Sequence, residues 1–154
     1  MKNTLIFALL LISTNSFAQE DCTLNPEAIK SVLKGARVER QKHGLKEWLK
    51  LKDFKVTYEM GGCAHYAYSF TYEDFAKTDL TESDNVLTLA EKMLKATPVT
   101  DSGNSERFLR SILEAQKSKA KMENKILALP CGDAFCEINH SEKGKLKISY
   151  DFAL

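Results

Sequence analysis

The chain has 154 residues, 44% hydrophobic and 28% charged, with 22 Lys and Arg against 21 Asp and Glu. So even a balance argues against nucleic acid or an anionic membrane surface as a general partner. The length suits one domain with a sizeable core, and no repeat, low-complexity tract or linker divides it.

The first element in chain order reads as a leader. Met1-Lys2-Asn3 gives a positive start, Leu5 to Ile12 is a nearly unbroken apolar run, and Ser16-Phe17-Ala18 offers small residues for cleavage. The apolar run is far short of the roughly 20 residues that a spanning helix needs. Residues 1–18 are therefore expected to be a signal peptide and residues 19–154 a single exported domain, periplasmic or secreted. Gln19-Glu20-Asp21 separates Cys22 from the cleavage point, so no lipid anchor is expected, and no other stretch is apolar enough to cross a membrane.

Asn25-Pro26-Glu27 has the form of a helix start, an Asn cap followed by Pro and an acid in the first turn. Ile29, Val32, Leu33 and Ala36 then recur at helical spacing, which predicts a helix reaching about Gln41. Residues Leu45 to Leu51 fit a helical turn or a strand equally well. Phe54, Val56, Tyr58 and Met60 alternate with polar residues, as Tyr66, Tyr68, Phe70 and Tyr72 alternate with smaller ones. Gly61-Gly62 lies between the two runs, which predicts a hairpin. With a two-residue loop, Tyr58 would face His65, and the four aromatics of the second strand would lie on the opposite face. Thr81 to Asp84 supplies caps for a helix ending before Pro98, and Asn104 or Ser105 caps another carrying Phe108, Leu109, Ile112 and Leu113. Ile126 to Leu129 is a short apolar stretch. Phe135 to Asn139 and Leu146 to Phe152 flank Ser141-Glu142-Lys143-Gly144 as a second hairpin. The expected fold is α+β: two antiparallel hairpins forming a small sheet packed against about three helices.

Four cysteines allow three pairings. Cys131 with Cys136 would close a short Gly-Asp loop, and Cys22 with Cys63 would pin the N-terminal segment to the first hairpin. Two disulfides are therefore expected. Cys131-x4-Cys136 lacks redox spacing, and Cys63, His65, Cys136 and His140 lack the tight ligand pairs of structural zinc, so neither metal nor cofactor is expected. Ser31 to Lys34 and Ser83 to Asn85 match S-x-x-K and S-D-N, but K-T-G is absent and Ser118 to Lys121 repeats the first by chance.

Charge is unevenly distributed. Residues 27–55 hold nine bases against four acids, while residues 73–84 hold five acids and Lys77 alone as a base. This suits a surface that steers a charged partner. The Tyr-rich strand beside Gly61-Gly62 is the candidate contact surface, because tyrosines on a rigid sheet give area at little entropic cost. Tyr58, Gly61, Gly62, His65, Tyr66 and Tyr68 are the expected partner-binding residues, with no catalytic set. The expectation is a non-enzymatic binding protein, an inhibitor or immunity factor that occludes a cell-wall-degrading enzyme through its first hairpin. The alternatives are a small exported hydrolase using scattered carboxylates or His65, and a secreted factor acting on a host.

Overall fold

The computed structural model describes residues 26–62, 65–141 and 144–153. It contains one seven-stranded antiparallel sheet and two α-helices. The strands are β1 (Arg37–Gln41), β2 (Gly44–Lys50), β3 (Lys55–Gly61), β4 (His65–Glu73), β5 (Ile126–Leu129), β6 (Phe135–Ser141) and β7 (Lys145–Ala153). Helices α1 (Ser83–Ala96) and α2 (Gly103–Ser118) come between β4 and β5. The spatial order is β1-β2-β3-β4-β7-β6-β5, so two meanders meet where β4 pairs with β7. The α+β class holds, but the small two-hairpin sheet with about three helices does not. Nor do two disulfides appear: the described residues hold one, Cys131–Cys136, while Cys22 and Cys63 lie outside them.

Alternation turns one side of every inner strand toward the helices. Tyr58 on β3, Phe70 and Tyr72 on β4, Leu146 and Ile148 on β7 and Ile138 on β6 are all fully buried there. Helix α1 meets them with Val86, Leu87, Ala90, Met93 and Leu94, and α2 with Phe108, Ile112 and Ala115. The Phe108 ring lies edge-on to Tyr68 at 5.4 Å and to Phe70 at 6.1 Å. Of three buried tyrosine hydroxyls two have partners and that of Tyr68 has none: Tyr72 Oη lies 3.3 Å from Thr97 Oγ1, and Tyr58 accepts from Asn104 Nδ2 at 3.2 Å while donating to Met60 Sδ at 3.4 Å. Burial still pushes all three phenols above the ordinary value of 10, that of Tyr68 to about 12 against the opposing Arg107 charge.

The first predicted helix is absent. Only Pro26–Ala28 makes a 3-10 turn, residues 29–33 run as an extended strap that ends in a turn at 34–35, and the charged segment beyond it is β1. Long-range acceptors capture the amides that a helix would have used internally. The carboxyl group of Glu47 on β2 is fully buried, and its oxygens accept from Val32 N at 3.0 Å and Leu33 N at 2.7 Å. Lys34 N donates to Pro98 O at 2.9 Å, and Thr100 N donates to Val32 O at 2.7 Å. Gly35, at φ +79°, turns the chain out of the strap. The apolar stripe is real, since Ile29, Val32 and Leu33 are all buried, but it covers the β2 end of the core as an extended segment.

The first hairpin also departs from the simplest register. Tyr58 pairs with Phe70 and Gly61 with Ala67, so the connection is longer than two residues and Gly61 belongs to β3. Tyr58 therefore shares a face with Tyr68 and Phe70. Gly61 is small because of close approach: a Cβ there would stand 2.7 Å from His43 O.

Candidate functional site

The second face of the sheet is left open, with no helix laid over it among the described residues. Alternation places there Lys46 and Trp48 of β2, Glu59 of β3, Ala67 and Ser69 of β4, Ser149 and Asp151 of β7, and Phe135 and Glu137 of β6. One row across the strands reads Lys46, Glu59, Ser69, Ser149, Glu137, and the next reads Gly61, Ala67, Asp151, Phe135. The small side chains at the centre of both rows lower the floor, while larger ones stand at the sides. The result is a shallow concavity of about 620 Å³. Met60, Gly61 and Gly62 form its wall on the first-hairpin side, and Phe135, Glu137 and Asp151 form the opposite wall.

Among the described residues Phe135 is the most exposed of the large hydrophobic side chains, at 63%. Its position follows from its neighbour. Cys136 is buried and bonded to Cys131, so strand alternation turns Phe135 the other way, onto the open face. The disulfide closes the loop from Cys131 to Cys136, and antiparallel pairing with Asp151 fixes the height at which the ring stands.

Charge on this face is organised along the strands. Lys46 Nζ lies 2.5 Å from Glu59, whose carboxylate holds the ammonium above its ordinary 10.5. Lys46 and Arg37 also lie 5.6 and 6.0 Å from the Trp48 ring centre. Farther along, Lys55 pairs with Asp74 at 2.5 Å, which holds that carboxyl below its ordinary value, and Lys145 pairs with Glu73. Glu59 and Glu137 are separated by three inter-strand steps, roughly 14 Å at the backbone. Glu137 and Asp151 are diagonal neighbours on adjacent strands, roughly 7–8 Å apart at the backbone.

The six expected contact residues do not form one surface. Gly61 and Gly62 line the concavity. Tyr58 and Tyr68 sit in the core at 0% and 2% exposure, which moves them from the expected contact surface to the packing beneath α2. Tyr66 is half-buried on the helix side and donates to Met60 Sδ at 3.3 Å. His65 opens β4, and its side chain lies outside the described residues. Phe135, Glu137, Ser149 and Asp151 were not anticipated. The signal for Phe135 was present, since a strand beginning Phe-Cys with an inward cystine must turn the ring outward.

Among the described residues no three His, Cys, Asp or Glu side chains are placed to hold a metal, and Cys136 is committed to its disulfide. No helix among them is long and apolar enough to cross a membrane. Comparison with known proteins finds no matching family model, curated protein or solved structure.

Proposed function

We propose that this is an exported, non-enzymatic binding protein that docks a protein partner across the concave part of its open sheet face. An inhibitor or immunity factor that covers the cleft of a cell-wall-degrading enzyme is the form of this activity that the sequence and shape suit best. The observation that carries the reading is the exposed Phe135 ring on its disulfide-closed loop, facing the Gly61–Gly62 end of the first hairpin across the concavity. A phenylalanine left in water forgoes about 1.5–3 kcal/mol of burial, and binding recovers it. A ring held by a disulfide and a strand ladder also loses little freedom when it docks. The contact set becomes Phe135, Glu137, Asp151, Gly61 and Gly62.

The test is inhibition and calorimetric titration against purified cell-wall hydrolases of different bond specificity: a cationic lysozyme, a lytic transglycosylase and an amidase. Submicromolar inhibition of one of them, with Phe135→Ala weakening it by about 2 kcal/mol or more, is the expected result. Inhibition that survives Phe135→Ala within about 0.5 kcal/mol removes the open face from the interface, and no inhibition of any of them removes this enzyme class. A hydrolase reading rests on the neighbouring Glu137 and Asp151. It requires the protein alone to release soluble fragments from peptidoglycan, and Glu137→Gln to abolish that release.

A further inference from the structure

Outside the concavity the open face changes sign along its strands. The two rows that build the concavity, with Glu39 of β1 opposite Lys46, hold Glu39, Glu59, Glu137 and Asp151 against Lys46 alone. The next row across the sheet reads Arg37, Trp48, Thr57, Thr71, Lys147, and the one beyond it Lys50, Lys55, Glu73, Lys145. With Asp74 beside Lys55, five bases there stand against two acids. Three ion pairs lie within the face: Lys46–Glu59, Lys55–Asp74 and Lys145–Glu73. Among the described residues they leave Arg37, Lys50 and Lys147 without an ion pair, and Arg37 rests on the Trp48 ring instead.

These three cations are spaced, not clustered. Arg37 on β1 and Lys147 on β7 end a row of five strands, four inter-strand steps or roughly 19 Å apart at the backbone. Between them lie the half-buried Trp48 and the directly opposed Thr57–Thr71 pair, and Lys50 stands one position along β2 on the same face as Trp48. A shallow hollow of about 430 Å³ runs past Trp48, Lys50, Lys55 and Thr57. About six extended residues cover such a row. The ring offers area to side-chain stems, the threonines offer hydroxyls, and the cations offer charge to carboxylates. We propose that this row is a track for an acidic peptide segment of the protein partner, laid across the strands with its carboxylates on Arg37, Lys50 and Lys147. The inference rests on the reading that the open face docks a protein. It adds which way round the partner sits, with its acidic segment at the Trp48 end and the neighbouring surface over the Phe135 concavity.

Trp48 is the only tryptophan in the chain, so its emission reads the track directly. Titration of the purified chain with hexa-glutamate at about 20 mM salt should change that emission with half-saturation on the order of 0.1 mM, and amide shifts should centre on Thr57 and Thr71. Raising the salt to about 0.15 M should weaken binding at least about fivefold. Lys147→Glu and Arg37→Glu should each weaken it about tenfold, whereas Lys92→Glu, the same change in net charge at an exposed position of α1, should leave it within about twofold. Hexa-arginine should leave the emission unchanged. Four results would overturn the proposal: no response to hexa-glutamate up to about 2 mM, an equal response to hexa-arginine, a loss in Lys92→Glu as large as in Lys147→Glu, or tripolyphosphate saturating the site at lower concentration than the peptide at equal ionic strength, which would make it a phosphate site. The titration needs no hydrolase, so the two readings fail separately. A chain that inhibits a hydrolase through Phe135 yet ignores hexa-glutamate loses the track alone, and one that binds the peptide yet inhibits none of the hydrolases keeps it.

Discussion

Replacing Glu47 tests whether the strap is held by the hydrogen bonds described above. In Glu47→Ala the amides of Val32 and Leu33 lose their acceptor while remaining covered. Two buried unsatisfied donors cost about 1–3 kcal/mol each, so the variant should lose about 3–5 kcal/mol, including the space left by the side chain. Local release of the strap would not relieve this cost. Ile29, Val32 and Leu33 contribute about 1.5–3 kcal/mol each by burial, more than the amides lose, so the strap stays docked and the penalty falls on global unfolding. Glu47→Gln keeps one accepting oxygen but turns an amide NH2 toward a backbone N–H, and should cost about 2 kcal/mol. Urea unfolding followed by circular dichroism reads both variants: with a slope near 2 kcal/mol/M, the alanine midpoint falls by roughly 2 M and the slope is unchanged. Tryptic cleavage at the exposed Lys30 and Lys34 should accelerate in step. An alanine variant within about 0.5 kcal/mol of the parent, cut no faster, would refute this account of the strap.

Four further outcomes follow from the same structure. Converting Cys131 and Cys136 to alanine should cost about 2 kcal/mol on the chain-entropy estimate for so short a loop, measured by calorimetry with and without reductant. In a spectrophotometric titration at 295 nm, Tyr58, Tyr66, Tyr68 and Tyr72 should ionise above the ordinary 10, and Asn104→Ala should raise Tyr58 further by removing the donor to its hydroxyl. Burial pushes the His140 imidazole below its ordinary 6.5, so the unfolded chain takes up the proton first; stability should decline as pH falls from 6.5 through the folded value, and His140→Leu should remove that slope in pH-dependent melts. Glu91 is held below its ordinary 4.5 by Lys95 at 2.6 Å and by Gln116 of α2 at 3.2 Å, so its contribution is present above that value and lost as pH falls below it. As a surface pair it should be worth only about 0.3 kcal/mol, which a Glu91→Gln melt at neutral pH and in acid would show.

What the sequence made legible was the part governed by one neighbour at a time. The alternation at 54–60, 66–72, 135–139 and 146–152 marked four inner strands, and the helical stripes after Ser83 and Asn104 marked both helices, because each segment's pattern matches its own burial. The strap failed for the opposite reason. Ile29, Val32, Leu33 and Ala36 have helical spacing, but acceptors far along the chain at Glu47 and Pro98 take the amides. β1 left almost no signal, since an edge strand exposed on both faces needs no apolar alternation. The candidate site was harder to read. Alternation separates the two faces of β4 but does not say which face two helices will cover, and the tyrosines proved to be on the covered one. Phe135 and Asp151 come together only through the β6–β7 register, which depends on a connection whose length no residue pattern specified.

The place of β7 has a consequence for how the molecule folds. It is the last of the seven strands along the chain, yet it lies between β4 and β6 and supplies Leu146, Ile148 and Tyr150 to the core. The β1–β4 meander can form early from local contacts, but its inner edge stays unsatisfied until a segment some eighty positions downstream arrives. Pairings that distant carry a large loop-closure cost before they yield any gain, which predicts folding on the millisecond-to-second scale and one cooperative transition. Until β7 arrives, the chain has two hydrophobic half-sheets and nothing to join them.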